Sequence, residues 1–454
     1  MGGCMKQDDT DYVFYRSQSK ILPEIDYGKG IYFYDKSGKR YIDGTSGALI
    51  SNLGHGDLRI AEAYFEQAKK IEFVHGTQFS SQVVKELARF ISDIAPSNLN
   101  RIYFVSGGSE AIETAIKLAR GYHVNEGNVQ KHKIISRWQS YHGATLGALS
   151  CGGRSGDRHL YTPLLLNFPH IVPCYCYRCP FKKDPKNCNT ECAWDLERVI
   201  LQENPDHISA FVAEPIVGAT LGAVPAHDRY FSIIREICDK YNVLFVADEV
   251  MTSLGRTGKW FGIDHYGVVP DMIVGSKGVA AGYYPAGFVI VREGIFQSFK
   301  KGPGKFIHGY TYQGNPLCGA VCLKVLNIIK EEGLVQHVHE LGIYLMTRLE
   351  ELKRKHAVIG DCRGKGLMTG IEFVKDKKTK EPFDESIHLN RRLVDETFSR
   401  GLIIYPGASG GMINGKGGNA IMVAPPFIIT KEQLDKLLSI LDETITTVEK
   451  QIVS

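Results

Sequence analysis

Long apolar runs are absent from this 454-residue sequence, and none approaches the length that a membrane-spanning helix requires. The first residues, MGGCMKQDDTDY, contain no apolar core of signal-peptide length, and Lys6 stands where a myristoylation motif requires Ser or Thr. These absences argue against the membrane-bound and secreted classes. We therefore expect a cytoplasmic protein without a membrane partner.

An excess of one charge is also absent, because 54 Lys and Arg residues stand against 50 Asp and Glu residues and form no basic block. This distribution argues against a nucleic-acid surface and favours chemistry on small molecules. Neither a fixed-period repeat nor a low-complexity segment is visible. Cysteine is plentiful, with 11 residues, but without a signal peptide we interpret these as reduced thiols and not as a disulfide framework.

Short apolar runs followed by helical patterns fill the middle of the chain. Because these runs do not alternate cleanly with polar residues, they are typical of strands in a mostly parallel sheet that helices cover on both faces. We predict an α/β fold with a large domain over residues 69–320, a smaller α+β domain over residues 321–454, and an N-terminal segment over residues 1–68 that joins the small domain. The candidate strands are RIYFV, KIISR, HISAFVAEP, VLFVADEV, DMIVGS and AGFVIV.

The residues directly after these runs are the candidates for chemistry, because sites in parallel sheets lie at the carboxyl ends of the strands. After RIYFV, Gly107 and Gly108 open a helix whose free N–H groups and dipole favour a phosphate, although an ordinary Ser/Gly helix cap has the same pattern. After KIISR, Tyr141 offers a ring face and His142 a hydrogen bond, unless the tyrosine is only a structural aromatic residue.

Two charged residues follow the most apolar runs. Asp248 ends VLFVA, and a buried carboxylate is costly unless a cation or a hydrogen-bond donor pairs with it. Lys277 follows DMIVGS, where an apolar setting favours a neutral, nucleophilic amine that can form a Schiff base, although most such lysines are solvated loop residues. A phosphate cradle, a ring, an Asp and a Lys together are the four contacts that pyridoxal phosphate (PLP) needs.

Seven stretches in one consistent order resemble the successive signatures of the class III aminotransferases of PLP fold type I. The resemblance extends from GIYFYDKSGKRYIDG to the last helix, and it implies an α/β large domain with a mostly parallel sheet, a smaller α+β domain and PLP as cofactor. The stretches are SGGSEAIETAIKLAR, SYHGAT, AEPIVGATLG, ADEVMTSLGRTGKWF, SKGVAAGYYPAG, HGYTYQGNPL and APPFIIT.

The resemblance implies a role for each matching residue. Lys277 is expected to hold PLP as a Schiff base and then to move a proton at the substrate carbon, while Asp248 keeps the pyridine nitrogen protonated. Tyr141 is expected to stack on the ring, with Val250 packed on the opposite face.

Further matches concern the phosphate and the assembly. The backbone of Gly108 and Ser109 is expected to bind the phosphate, and His142 and Glu214 match positions near the cofactor. Thr311 matches a residue that reaches the phosphate of the neighbouring subunit. The resemblance therefore implies a homodimer with shared active sites, and it leaves open whether dimers form tetramers.

Departures from the family pattern bear on the substrate. Ala219 stands where the ornithine, acetylornithine and 4-aminobutyrate branches carry a glutamate, and Leu49 stands where amine:pyruvate relatives commonly carry a tryptophan. The stretch GASGGMINGKGGNAIMVAPPF has no arginine, so Lys416 either contacts an anionic substrate tail or is solvated in a surface loop. We expect amino transfer from an ω-amino acid or primary amine to a 2-oxo acid, with pyruvate first and 2-oxoglutarate second.

Other activities stay open at this point. The same residues serve PLP-dependent decarboxylases and aminomutases of the family, and a transaminase could act on a larger anionic amine such as a CoA-linked one. A catalytically silent descendant is a further alternative, against which the intact Lys277 and Asp248 argue.

A cysteine-rich stretch, CYCYRCPFKKDPKNCNTEC, has no place in this scheme. The gap between Cys176 and Cys179 is that of a zinc knuckle, which Cys188 and Cys192 could close, but the spacing fits no standard finger. We expect no metal here, and we interpret these residues, with Cys174, as free thiols in a surface insertion.

Overall fold

The computed structural model describes residues 12–17, 22–407 and 419–453. Its helices are α1 Ser46–Leu49, α2 Leu58–Lys70, α3 Gln82–Ile94, α4 Gly108–Asn125, α5 Leu146–Cys151, α6 Ser155–Arg158, α7 Glu191–Glu203, α8 Tyr230–Lys240, α9 Glu293–Lys301, α10 Pro316–Glu331, α11 Leu334–Lys355, α12 Leu389–Ser399 and α13 Lys431–Val453. Short 3-10 turns include Cys176–Arg178 and Lys277–Val279. None of the helices in the described ranges combines the length and apolar character needed to cross a lipid bilayer.

In the three described ranges, the strands form one large sheet and three small ones. They are β1 Ile25–Lys29, β2 Tyr32–Asp35, β3 Arg40–Asp43, β4 Leu99–Val105, β5 Lys133–Arg137, β6 His170–Ile171, β7 Ile208–Ala213, β8 Ile216–Val217, β9 Val224–Pro225, β10 Leu244–Asp248, β11 Met272–Gly275, β12 Gly287–Arg292, β13 Ile359–Lys365, β14 Met368–Phe373, β15 Leu402–Ile403, β16 Tyr405–Gly407 and β17 Asn419–Val423.

The large sheet has seven strands in the order β4-β12-β11-β10-β7-β5-β6. The pairs β11–β10, β10–β7, β7–β5 and β5–β6 are parallel, and only β12 runs against its neighbours. In the central register Val246 lies opposite Met272 on one side and Val212 on the other. The prediction of an α/β fold with a mostly parallel sheet is therefore confirmed.

Helices cover both faces of this sheet, which explains why its strands are apolar without alternation. Successive strand residues point to opposite faces. On one face Val212, Leu244, Val246, Met272 and Val274 share a buried cluster with Ala111, Ile112, Ala115 and Leu118 of α4. On the other face Phe211, Phe245, Ala247 and Ile273 pack with residues of α7 and α8, including Leu196, Phe231 and Ile234.

Two four-stranded sheets lie outside the large one. The first has the order β1-β2-β3-β15, in which β15 pairs with β3 in parallel, so the two ends of the chain share a sheet. The second, β13-β14-β17-β16, is antiparallel. The predicted domain boundary at residue 320 falls inside α10, and the division of the chain into domains stays a prediction.

Candidate active site

A cavity lies at the carboxyl edge of the large sheet, where the polar residues that follow the strands meet. β7 ends one residue before Glu214, β10 ends at Asp248, and β11 ends two residues before Lys277. Because parallel strands end at the same edge, these side chains face one space of about 200 Å³. Its lining residues are Gly108, Ser109, Tyr141, His142, Gly143, Glu214, Ile216, Asp248, Val250, Met251, Ser276 and Lys277.

The structure brings together every residue that the sequence suggested for cofactor binding except Thr311. Four additional residues complete the lining: Gly143, Ile216, Met251 and Ser276. The sequence offered a signal for them only by adjacency, since each stands one or two positions from a residue that was predicted. Ser276 is fixed by its own hydrogen bond, because its Oγ donates to the carbonyl oxygen of Ala286 at 2.6 Å.

Lys277 is the amine in this cavity. Its backbone has a left-handed φ of 47°, and it begins a 3-10 turn directly after β11. The side chain is partly exposed because it lines the cavity, but surrounding protein atoms lower the pKa of the amine to about 8. No described residue accepts a hydrogen bond from it. The amine therefore has a lowered affinity for its proton and, within the described ranges, no competing hydrogen-bond acceptor.

Asp248 is the buried carboxylate opposite this amine. The Nδ1 atom of His142 lies 2.6 Å from Oδ2 of Asp248, which is the distance of a charge-assisted hydrogen bond. The second oxygen of the carboxylate, Oδ1, accepts from the backbone N–H of Val250 at 3.1 Å. The Nε2 atom of His142 is buried and has no partner among the described residues. His142 thus orients Asp248 and keeps the carboxylate within the cavity.

Glu214 is held by a second buried ion pair. Nη2 of Arg137 lies 3.5 Å from Oε2 of Glu214 and also donates to its carbonyl oxygen at 2.5 Å. The backbone N–H of Tyr141 donates to Oε1 at 3.4 Å. Burial raises the pKa of the Glu214 carboxyl. Glu214 therefore joins the strand that carries Arg137 to the loop that carries the cavity's aromatic residue.

Helix α4 points its first turn at the cavity. Among the residues that the structure describes, no side chain caps the helix start at Gly107, so the first N–H groups are available for an anion, and the helix dipole favours negative charge there. A Cβ atom on Gly108 would lie 3.2 Å from both Cγ atoms of Val250, so a larger residue would crowd the cavity wall. The Oγ atom of Ser109 accepts from the backbone N–H of Ala144 at 3.1 Å, which fixes the adjoining loop.

This donor set suits PLP. The phosphate matches the uncapped helix start, and the pyridine nitrogen matches a buried carboxylate that has a histidine behind it. The aldehyde carbon matches an amine whose pKa is about 8. Tyr141, about half exposed at 48%, has a ring that borders the cavity and can cover a planar ligand.

Three predicted positions lie outside the lining. Leu49 is buried behind it and packs with Ile216 and Met251. Thr311 is exposed in the turn before α10, so its predicted contact with a neighbouring subunit stays a prediction. Lys416 lies outside the described residues, and its predicted role stays a prediction as well.

The cysteine-rich segment lines a different space. Cys176, Cys179, Cys188 and Cys192 border a small cavity of about 20 Å³, and the hydrogen-bonding thiol of Cys174 together with burial raises the pKa of the Cys176 thiol far above its usual range. Across the described ranges, no three His, Cys, Asp or Glu side chains are grouped as a metal site requires. The interpretation of these residues as free thiols stays a prediction.

Known proteins of similar sequence give this geometry its context. An uncharacterized aminotransferase of Bacillus subtilis, YodT, is 38% identical over 443 residues, which cover 98% of this chain and 99% of that protein. The putrescine–pyruvate aminotransferase of Pseudomonas aeruginosa is 35% identical, over 93% of this chain and 91% of its own length.

Solved structures agree with the sequence relatives. A transaminase from the marine bacterium Virgibacillus has a TM-score of 0.91 at 35% identity, with 97% of this chain and 98% of that chain covered. The PMP-bound aminotransferase of Vibrio fluvialis has a TM-score of 0.87 at 30% identity, with coverage of 94% and 93%. The family description "Aminotransferase class-III" matches residues 13–445. This chain therefore belongs to the class III aminotransferases, which are PLP-dependent transaminases.

Proposed function

We propose that this enzyme transfers the amino group of an ω-amino acid or primary amine to a 2-oxo acid, pyruvate before 2-oxoglutarate, in two half-reactions that share one cavity. The observation that carries the proposal is the meeting of the Lys277 amine and the Asp248 carboxylate in a cavity beside an uncapped helix start. Amino transfer requires an amine that can accept a proton and a carboxylate that can keep the cofactor ring protonated, and this cavity contains both.

Each residue of the cavity has its own proposed role in amino transfer. PLP, when bound, supplies an electron sink for negative charge on the substrate carbon. Lys277 would hold the cofactor covalently through Nζ and, once released, carry a proton to and from that carbon. Asp248 would keep the ring nitrogen protonated, and His142 would hold Asp248 in place. The N–H groups of α4 would bind the phosphate, and Tyr141 would shield one ring face from water.

The walls of the cavity favour a donor whose reacting amine is distant from any carboxylate. Ile216 and Met251 of the lining form one apolar cluster with Leu49 and Ala219. In the described part of the chain, the lining contains no arginine that could bind a carboxylate close to the amine. The putrescine–pyruvate relative, named for a diamine donor, supports the same assignment. Pyruvate is the smaller acceptor and needs no second anion site.

We further propose a homodimer in which Thr311 contacts the phosphate bound by the neighbouring subunit. Thr311 is exposed, and large apolar side chains on both sides of it are exposed as well, with Ile307 at 83% and Tyr312 at 62%. Exposed apolar groups of this size are typical of surfaces that a partner covers. Sedimentation of the purified enzyme tests this assembly, and a monomer at micromolar concentration would contradict it.

The visible absorbance of bound PLP tests the proposed substrates. Single donors are added without an acceptor: β-alanine, 4-aminobutyrate, putrescine, an arylalkylamine and a thioester-linked amine. We expect at least one of the first four to bleach the band, and pyruvate to restore it faster than 2-oxoglutarate. The proposal would be contradicted if none of these four donors bleached the band. Release of carbon dioxide, or of an isomerised amine, without an acceptor would also contradict it.

A further inference from the structure

Arg256 is a fully buried cation without an acidic partner among the described residues. Its Nη1 atom donates to the carbonyl oxygens of Leu367 at 3.0 Å and Pro425 at 2.7 Å. Its Nη2 atom donates to Oγ of Ser46 at 3.0 Å and Oδ1 of Asn52 at 2.6 Å. The side chain is 1% exposed, and every one of these acceptors is neutral.

A buried charge of this kind is costly unless an opposite charge compensates it. Arg363 provides the contrast within the same molecule. It is also buried and also donates to two carbonyl oxygens, but its Nη1 atom lies 2.8 Å from Asp361 and 2.7 Å from Glu372. Burial lowers the pKa of Arg256 to about 9, and the charge of Asp43 acts against this lowering. Besides its neutral acceptors, the Arg256 guanidinium has the ring of Phe427, 4.6 Å from its carbon atom to the ring centroid, but no ion pair among the described residues. A charge buried in this way needs an explanation.

Asn52 connects Arg256 to the turn that carries Lys277. A Cβ atom built on Gly278 would lie 2.1 Å from Nδ2 of Asn52, so the amide of Asn52 lies directly on the backbone after Lys277. Lys277 itself has a left-handed φ of 47°, a conformation that is uncommon for residues other than glycine. A chain of contacts therefore leads from Arg256 through Asn52 to the residue that follows Lys277.

The charges around the Lys277 amine oppose one another. Asp248, which is paired with His142, and Glu214, which is paired with Arg137, both favour the protonated amine. Arg256 acts in the other direction and disfavours it. Asp43 makes its direct contacts elsewhere, because it accepts from the N–H groups of Thr45 and Gly47 and pairs with His55.

We propose that Arg256 is a positioning residue for Lys277: it fixes the Lys277–Gly278 turn through Asn52, and its buried charge disfavours the protonated form of the Lys277 amine. This inference rests on the role proposed above for Lys277. The unprotonated amine is the form that bonds to the aldehyde carbon of PLP, with release of one water. A role as a plain clamp of the core is the alternative, and it predicts a loss of stability without any effect on the protonation of Lys277.

The test is the pH dependence of covalent PLP attachment to full-length apoprotein, followed by absorbance, which reports the amine and not turnover. Arg256→Met removes the charge, and Arg256→Lys keeps it. Asn52→Asp gives Arg256 a carboxylate partner while the arginine stays in place. Arg363→Met is the matched control, because it removes another buried arginine, 8% exposed, that forms ion pairs with Asp361 and Glu372.

We expect the midpoint of attachment to move to higher pH in Arg256→Met and Asn52→Asp, with attachment at pH 7 slower by about threefold or more, since half a pKa unit changes the free amine by that factor. Arg256→Lys and Arg363→Met should keep the wild-type midpoint even where they lower stability. Should Arg256→Met fail to fold, Asn52→Asp carries the test. An unchanged midpoint in Asn52→Asp, or an equal shift in Arg363→Met, would overturn the inference.

Failure of this inference can be told apart from failure of the assignment of Lys277. Borohydride reduction followed by peptide mapping identifies the lysine that carries the cofactor in each variant. If a lysine other than Lys277 is labelled, the proposed active site is wrong. If Lys277 is labelled but the midpoints coincide in all variants, only the role of Arg256 is refuted.

Discussion

Two lysines at opposite edges of the large sheet have different proposed roles, one structural and one reactive. Lys131 precedes β5 at the amino edge, and its Nζ atom donates to the carbonyl oxygens of Pro205, Ile208 and Tyr241 at 2.8, 3.0 and 3.0 Å. Lys277 follows β11 at the carboxyl edge, and no described residue accepts from its amine. Burial lowers the pKa of both amines.

Both lysines have a lowered pKa but different surroundings, so burial alone does not make a lysine reactive. Lys131 donates hydrogen bonds to three carbonyl groups at the start of neighbouring strands. All three donors of its ammonium group are therefore used in holding the fold together. Lys277 has a cavity in front of it and an acid, Asp248, across that cavity. The carboxyl edge is open because the loops that follow the strands diverge there. If Lys277 is the reactive lysine and Lys131 a structural one, substitutions at the two positions should have different effects.

The largest effect should come from removing the amine at the carboxyl edge. We expect Lys277→Ala to abolish covalent PLP attachment and to lower transamination by at least about 10⁴-fold, because one residue supplies both the covalent bond and the proton transfer. Lys131→Met is the matched control and should keep attachment intact. Steady-state rates and absorbance measure both. Equal losses in the two variants would break the comparison.

A second effect should come from the acid across the cavity. Asp248→Asn keeps the shape of the side chain but removes the charge that holds a proton on the ring nitrogen. We expect covalent attachment to persist and transamination to fall by about 10²–10⁴-fold, the usual range for a group that acts on a proton in the reaction. His142→Gln should have a smaller effect in the same direction. Full activity in Asp248→Asn would mean that another group performs this role.

For the stability of the fold, we expect substitution of Lys131 to have a larger effect than substitution of Lys277. Lys131→Met leaves three buried carbonyl groups without their donor, so we expect the free energy of unfolding to fall by about 2–4 kcal/mol. Lys277→Met removes an amine for which the described part of the chain offers no hydrogen-bond acceptor, so the apoprotein should keep its stability or gain some. Denaturant titration of both apoproteins decides the matter. A larger loss in Lys277→Met than in Lys131→Met would contradict the assignment of roles.

The smallest effect concerns pH. Because the pKa of the Lys277 amine is lowered to about 8, its unprotonated fraction rises with pH and levels off above that value. The rate of covalent PLP attachment should therefore increase by up to about tenfold from pH 7 and then reach a plateau. Stopped-flow absorbance across pH 6–10 records the profile. A rate that still climbs through pH 10 would show an ordinary, solvated lysine.

The sequence was sufficient to predict the carboxyl edge of the sheet. Asp248 and Lys277 each end or follow a fully apolar run, where a charged group is costly, and parallel strands bring such ends together. Gly108 and Tyr141 follow strands of the same sheet, so the same argument places them in the cavity. Local pattern and strand direction together therefore predicted most of its lining.

Other features depend on contacts that no local pattern contains. Arg256 stands in SLGRTGKW like a loop residue, and its acceptors Ser46, Leu367 and Pro425 are distant in the sequence. The reversed direction of β12 was equally hidden, since AGFVIV is apolar whichever way the strand runs. Lys131 is preceded and followed by polar residues, so nothing nearby indicated its burial.

The most direct test of the account is to locate the lysine that carries PLP in the purified enzyme. Borohydride reduction fixes the cofactor to its lysine, and peptide mapping by mass spectrometry identifies the residue. The account predicts a single modified position, Lys277, with Lys131 unmodified in the same digest. Modification of Lys131, or of any lysine away from the carboxyl edge of the large sheet, would contradict it.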